Sequence, residues 1–386
     1  MKTNTNEGML KLRAAVLAGA KARGMEGRSE CGVRLDWEMG QIEEAGYVDD
    51  FLRAKEIVDI IRGVGGIVSP GRGAAVSSLV CYALGITDVE PMAHDLLFEC
   101  LMGSWQILID TDWTGYKDVL EWCGKKSFGR VAIRYASCLD LVWSMYHALG
   151  GKGVVRPNWG AARLTEMEMR NVFGSGMCGD IAGFDGKKVG RMLRSFGAHT
   201  FGEIRDVYAL SQVKSEAGCS YIGRKVCGEE GWESAHPLLG KVVGETLGHF
   251  IYEEQVFLFL RLAAGFTRRE ATEGMRVILR KCEGMDSGLG ERFVVGCLAN
   301  DEFRVGIFED EKAAKDAAVL LWEQLKRERW ATRMKAHCVG QVELAMRLAY
   351  LKVHYAKEWE DAKERQRKKI EDERVRREDD FLSECE

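Results

Sequence analysis

Apolar positions recur at helical spacing along most of the chain. Leu35, Met39 and Ile42 form one such set, and Leu52, Ile57, Ile60 and Ile61 another; the spacing predicts helices over 9–25, 34–46 and 50–63. A short strand, Gly66-Ile67-Val68-Ser69, precedes a tight Pro70-Gly71-Arg72-Gly73 loop that opens a helix near Ala74. The pattern changes over 105–113 (WQILIDTDW). Ile107 and Ile109 alternate there with Leu108 and Asp110, no helical period fits, and a strand is predicted. Helix returns over 116–123. Residues 131–149 open ambiguously and are helical by Leu141, and the glycine-rich stretch 150–163 holds a short β-like Val154-Val155 core.

From about residue 164 the pattern is helical, with glycine-containing breaks near 174–186, 215–235 and 284–290. A long helix is expected over 336–359, with Val339, Val342, Met346, Ala349 and Val353 on one stripe. The mixed-charge run 356–386 reads as a solvated helix or frayed tail. No internal repeat is visible.

Composition narrows the class. The chain has 386 residues, 46% of them hydrophobic, which is enough for a sizeable core and excludes a disordered protein. Its 55 basic and 59 acidic residues give a net charge of -4, which excludes a uniformly basic nucleic-acid-coating protein. An enzyme with a locally basic channel stays open. No apolar run is long enough to span a membrane, and Met1 to Gly8 lacks the apolar stretch of a secretory signal, so a cytoplasmic protein is expected. The 12 cysteines include no Cys-x-x-Cys pair and the 7 histidines are scattered, a pattern of buried thiols in a reducing compartment rather than of a zinc site.

Three constellations could carry chemistry. In Asp110-Thr111-Asp112, residues two apart on a strand share a face, so two carboxylates converge as hard Mg²⁺ ions require. The plain alternative is a solvated strand end. Gly71-Arg72-Gly73 joins a strand to a helix, where glycines admit a close ligand and N–H groups attract phosphate. No Gly-Lys-Ser/Thr follows, so it is not a Walker A loop, and a simple glycine turn is the alternative. Arg276, Arg280 and Lys281, with Lys335 and His337, form a basic set that could meet a triphosphate or a nucleic-acid backbone, or could be an ordinary solvated face. The order is more informative than any one of them: phosphate loop, paired carboxylates about forty residues on, then a helical half with basic faces.

Over Arg34–Asp112 these motifs resemble the α subunit of bacterial DNA polymerase III, the C-family replicative polymerases. The residues are RLDWEMGQIEEAGYVDDFLRAKEIVDIIR, then SPGRGAAVSSLVCYALGITDVEP, HDLLFECLM and ILIDTDW. The segments 129–137, 236–257, 263–281 and 334–359 are similar to later parts of that family. The resemblance implies a mainly helical α+β fold. A polymerase-β-like nucleotidyltransferase palm, with a small mixed sheet, would occupy 1–163, an all-helical fingers domain 164–355, and a charged helical tail 356–386.

By the same resemblance, Asp110 and Asp112 hold two Mg²⁺ ions, or Mn²⁺ in their place. Gly71, Arg72, Gly73, Ser78, Arg276, Arg280, Lys281, Lys335 and His337 meet the nucleotide. The substrates would be a DNA primer–template and deoxynucleoside triphosphates, with other replication proteins as partners.

Departures from the family are equally specific. The chain leaves no room for an N-terminal phosphoesterase domain or the C-terminal regions, and it jumps across the thumb near 150–153. Asn158 stands at the third catalytic acid, Ala74 replaces the loop serine, and Gln341 replaces a tyrosine. Two readings follow. One is a thumbless, weakly processive nucleotidyltransferase that adds dNTPs to a DNA 3′ end. The other is a catalytically degenerate homologue, of a phage or mobile element, kept as a DNA-binding or replisome scaffold.

Overall fold

The structure is a computed structural model. It describes residues 5–124, 127–151, 159, 162–213, 217–228, 236–280, 288–305, 308–328 and 332–368. Asn158, Lys281 and the Val154-Val155 core lie outside the described residues, as does the side chain of Arg280.

The first unit is built by α1 (Thr5–Ala22), α2 (Ser29–Glu44), α3 (Val48–Gly63), α4 (Leu79–Ala83), α5 (Glu99–Ser104), β1 (Ile107–Thr111), α6 (Trp113–Cys123), β2 (Ser127–Phe128) and β3 (Val131–Tyr135). The sheet order is β1-β3-β2, with β3 parallel to β1 and antiparallel to β2, so the sheet is small and mixed. Ile107, Ile109, Val131 and Ile133 are buried from the sheet into one core with Phe51, Ile57, Ile61, Leu79 and Phe98 of the surrounding helices. Strand alternation therefore leaves Leu108 and Asp110 for the other face of β1.

The segment expected as a strand at 66–69 forms only a single antiparallel bridge, Val68 to Thr111. Ser69 N donates to Asp110 O at 2.9 Å and Asp112 N to Ile67 O at 3.3 Å, so this stretch still runs along the open edge of β1. The loop after it opens a 3-10 turn, Gly73–Ser77, rather than an α-helix. Gly73 has φ +65, a left-handed conformation that favours glycine.

The remaining elements among the described residues are helices: α7 (Ser137–Gly150), α8 (Glu166–Met169), α9 (Lys187–Phe196), α10 (Phe201–Ser211), α11 (Ala217–Cys227), α12 (Pro237–Val243), α13 (Glu253–Ala264), α14 (Arg268–Arg280), α15 (Leu289–Ala299), α16 (Asp301–Arg304), α17 (Glu311–Glu328) and α18 (Lys335–His354). The architecture is thus mainly helical α+β, as expected. Helices α12 to α17 enclose one core around Phe257, Phe259, Phe293 and Trp322. Helices α7, α9, α10 and α18 share another around Met145, Phe184, Leu193, Val207 and Val342.

The C-terminal segment differs from a solvated or frayed tail over its described part. Helix α18 stops at His354, which leaves Val353 of the expected stripe 37% exposed, and residues 356–368 form a further helical stretch. Trp359 and Ala362 are buried in the α7–α10–α18 core. Asp180 takes hydrogen bonds from Lys352, Trp359 and Lys363, which pins the segment. Its charge density concealed one deeply apolar face. No helix among the described residues is long and apolar enough to cross a membrane.

Candidate active site

Asp110 is the penultimate residue of β1 and is only 5% exposed. Its Oδ2 accepts from Arg72 Nη1 at 3.0 Å. Its neighbour across the parallel register is Arg134, whose Nε lies 3.8 Å from Oδ1. That distance is an ion pair without a hydrogen bond, and Asp110 Oδ1 is a buried oxygen with no hydrogen-bond partner. A buried carboxylate oxygen without a donor is costly, and such an atom calls for a ligand or a cation.

Asp112, 1% exposed, has left the strand. It is the N-cap of α6, with Oδ1 accepting from Ile67 N at 2.8 Å and Gly115 N at 3.4 Å. Its backbone stays extended, at φ -67 and ψ 174. The expectation that both carboxylates project from one strand is therefore modified. Asp110 is a strand residue, whereas one oxygen of Asp112 is committed to holding the start of α6 and the 66–69 edge.

The glycine loop is held from the far end of the chain. Gly73 N donates to His337 Nδ1 of α18 at 3.3 Å. A Cβ on Gly340, one turn further, would come within 2.4 Å of Gly71 O, so α18 lies directly on the loop backbone. Burial lowers the His337 pKa to about 4, and the charges of Arg72, Arg333 and Arg134 push the same way. The imidazole is neutral at pH 7 and accepts the Gly73 hydrogen bond. Arg72 and Arg134 thus flank Asp110, and with Arg333 they surround His337. Arg134 and Arg333 did not stand out in the sequence. The ambiguous start of 131–149 hid the β3 register that brings Arg134 beside Asp110, and Arg333 precedes α18 with no motif of its own.

Other sequence-predicted residues are held elsewhere. Ser78 caps α4 and donates to buried Glu38 at 2.8 Å. Arg276 Nη2 donates to Met102 O and Gly103 O, at 2.9 and 2.8 Å, at the C-terminus of α5. Those residues precede β1, while Asp110 lies near its opposite end. Arg276 there lines a cleft of about 800 Å³ with Trp37, Trp105, Arg268 and Arg269. Lys335 pairs with Glu245 at 3.0 Å and sits beside Tyr252. The structure therefore brings together Asp110, Arg72, Gly73 and His337, with Asp112 adjoining, and holds Ser78, Arg276 and Lys335 in separate networks.

Two family models match the chain. The bacterial DNA polymerase III alpha NTPase domain covers residues 10–110, and the bacterial DNA polymerase III alpha subunit finger domain covers 156–301. The chain belongs to the bacterial DNA polymerase III α family. The DNA polymerase III subunit alpha of Halalkalibacterium halodurans is 24% identical over 481 residues, spanning 89% of this chain and 42% of that protein. That of Mycobacterium leprae is 45% identical over 89 residues, 23% of this chain and 8% of that protein. An error-prone DNA polymerase of Ralstonia pickettii is 43% identical over 88 residues, 22% of this chain and 8% of that protein. The chain spans less than half the length of each of these relatives.

A divalent metal fits part of this DNA polymerase III α-like site. Mg²⁺ takes oxygen ligands, and Asp110 Oδ1 is a buried carboxylate oxygen that no donor satisfies. Among the described residues, no group of three or more His, Cys, Asp and Glu side chains forms a ligand set. Asn158, the third position implied by the family, lies outside them.

Proposed function

We propose that this chain is a nucleotidyltransferase of the DNA polymerase III α type that adds deoxynucleotides to a DNA 3′ end. Residues 1–163 would serve as its palm and 164–355 as its fingers. The observation that carries the proposal is Asp110: a buried carboxylate with one oxygen lacking a hydrogen bond, flanked by Arg72 and Arg134, with Arg333 near the adjoining His337. An anionic centre flanked by arginines suits a site where a polyphosphate and its counter-ions meet.

In this reading Asp110, with Asp112 beside it, would hold two divalent ions. Such ions supply charge neutralisation at the transferring phosphoryl group and lower the pKa of the attacking hydroxyl. The remaining roles belong to this chain's own residues. Arg72 spends one of its five N–H donors on Asp110, so the rest of its planar fork is available to a triphosphate. Gly73 lets the loop backbone approach that ligand, and His337 fixes the loop through the Gly73 N–H. Arg134 and Arg333 add positive potential on the approach. The alignment with the H. halodurans protein runs over 481 residues, more than this chain contains, so it includes stretches of that protein that this chain lacks, and we take the thumb to be among them. Without that segment, weak primer–template grip and low processivity follow.

A second reading, a non-catalytic DNA-binding homologue, is favoured by one observation: Asp112 Oδ1 and Asp110 Oδ2 are already engaged by protein donors. Primer extension with all four dNTPs and Mg²⁺ or Mn²⁺ separates the two. Extension that disappears in Asp110→Asn supports the transferase. No extension by the wild type but clear extension by Asn158→Asp supports the degenerate homologue.

A further inference from the structure

Trp113, Tyr116 and Tyr135 cluster beside the Asp110 site. Trp113 directly follows Asp112, and Tyr135 follows Arg134 and pairs in register with Thr111. The Trp113 and Tyr135 rings are 5.6 Å apart and nearly perpendicular, at 81°. Tyr116 lies 6.1 Å from Trp113 and 6.2 Å from Tyr135. Despite these contacts Trp113 is 46% and Tyr135 43% exposed. A strand end and a helix start seldom need two large exposed aromatic rings for stability, because burial is what makes such rings stabilising.

The Tyr135 ring and the Trp113 backbone are also fixed in place. Asp140, in the first turn of α7, accepts from Tyr135 Oη at 2.6 Å with one oxygen and from Trp113 N at 2.8 Å with the other. One carboxylate thus ties β3 to the start of α6 and sets the phenol ring. Part of the ordering entropy of this aromatic surface is therefore met before any ligand arrives, which favours a preorganised binding surface. Arg134, half-exposed and adjoining in sequence, supplies the cation that a phosphate backbone would meet.

We propose that Trp113 and Tyr135 form a stacking platform for an unpaired base of single-stranded DNA next to Asp110. This rests on the nucleic-acid reading given above, and it adds a base-recognition surface to the phosphate-directed groups. Every base has a π face, so the platform would accept any sequence, with phosphates held by the arginines. Such a surface would position a strand in a chain that lacks a thumb segment.

The test compares the intact chain on two labelled oligonucleotides of equal length, oligothymidylate and its fully abasic counterpart, by fluorescence anisotropy without Mg²⁺ or dNTPs. The expected result is that wild type binds the base-bearing strand about tenfold more tightly. Trp113→Leu and Tyr135→Leu should each remove most of that preference while leaving abasic binding unchanged, and Trp113→Phe should retain part of it. The wild-type comparison needs no variant to fold. Equal wild-type affinity for both strands overturns the platform and leaves the nucleic-acid reading standing, with the aromatic cluster then a surface for a protein partner. Binding to neither strand overturns the platform and that reading together.

Discussion

Arg72 and Asp110 are 38 residues apart and meet at 3.0 Å, Nη1 to Oδ2, while the other Asp110 oxygen lies buried without a donor. The arginine is therefore the direct compensation for a desolvated carboxylate. Arg72→Ala should destabilise the fold by roughly 1–3 kcal/mol, because a buried charge loses its hydrogen-bonded partner. Adding Asp110→Asn should recover part of that loss, since the orphaned charge disappears. Urea denaturation of the two single variants and the double variant measures the coupling. Strictly additive effects would mean that the pair contributes nothing to stability.

Asp112 requires a different substitution from the one usually chosen for a catalytic acid. Its Oδ1 caps α6 and satisfies Ile67 N. Asp112→Ala should cost about 1–2 kcal/mol through the lost cap alone. Asp112→Asn keeps an acceptor oxygen at that position and should fold within about 0.5 kcal/mol of wild type. If the transferase reading is right, the Asn variant still loses extension activity, because one negative charge is gone. An Asp112→Ala result by itself cannot separate lost chemistry from a loosened helix.

Arg276 should behave as a structural residue. Its guanidinium holds the last carbonyls of α5, where a cation also complements the helix C-terminus. Arg276→Ala should lower the thermal midpoint by several degrees, as a loss of about 1–2 kcal/mol does in a chain of this size. The KM for dNTP should stay at the wild-type value. A raised KM with unchanged stability would restore Arg276 to the nucleotide site.

Burial lowers the pKa values of His94, His249 and His337 to about 4 each. Neighbouring cations add to the effect: Arg205, Lys335 and Arg163 at His94, Arg224 at His249, and Arg72, Arg333 and Arg134 at His337. In the unfolded chain these groups titrate near 6.5. Between those values the unfolded state binds more protons, so stability is complete above about pH 6.5 and is lost as pH falls toward 4. The urea midpoint should therefore drop between pH 7 and pH 5. His249→Gln should make that drop shallower, since one proton-linked site is removed. A midpoint flat across the range would contradict this.

Much of this arrangement could be read from the chain itself, and the exceptions have physical causes. The alternation around Ile107 and Ile109 located β1, because a half-buried strand imposes a period of two on its own residues. The glycine loop and Asp110 were visible for the same reason: each is a local signal. Arg134 was hidden because its importance comes from pairing register, which no local pattern encodes. Asp112 was misplaced by one structural step, since an Asp before Trp113-Thr114-Gly115 reads equally as a strand end or a helix cap, and the α6 N-terminus took it. Trp359 was masked by the charge around it, although a single buried ring is enough to dock a helical segment.

Gly340 gives the sharpest test of how the two ends of the chain cooperate at the site. In an exposed helix Gly→Ala is stabilising, by about 0.5–1 kcal/mol. Gly40 of α2 meets that condition, with nothing within 4 Å of an added Cβ, so Gly40→Ala should raise stability by that amount. At Gly340 the same methyl would sit 2.4 Å from Gly71 O and 2.9 Å from Gly71 C, both backbone atoms, and 3.1 Å from Val76 Cγ2. The loop or α18 must move, and overpacking of this kind costs roughly 1–3 kcal/mol. Because Arg72 follows Gly71, the displacement should also disturb the Arg72–Asp110 contact. Gly340→Ala should then lose both stability and extension activity, while Gly40→Ala loses neither. Thermal denaturation and primer extension on the two variants give the comparison. A Gly340→Ala protein as stable and active as wild type would mean that α18 does not bear on the phosphate loop.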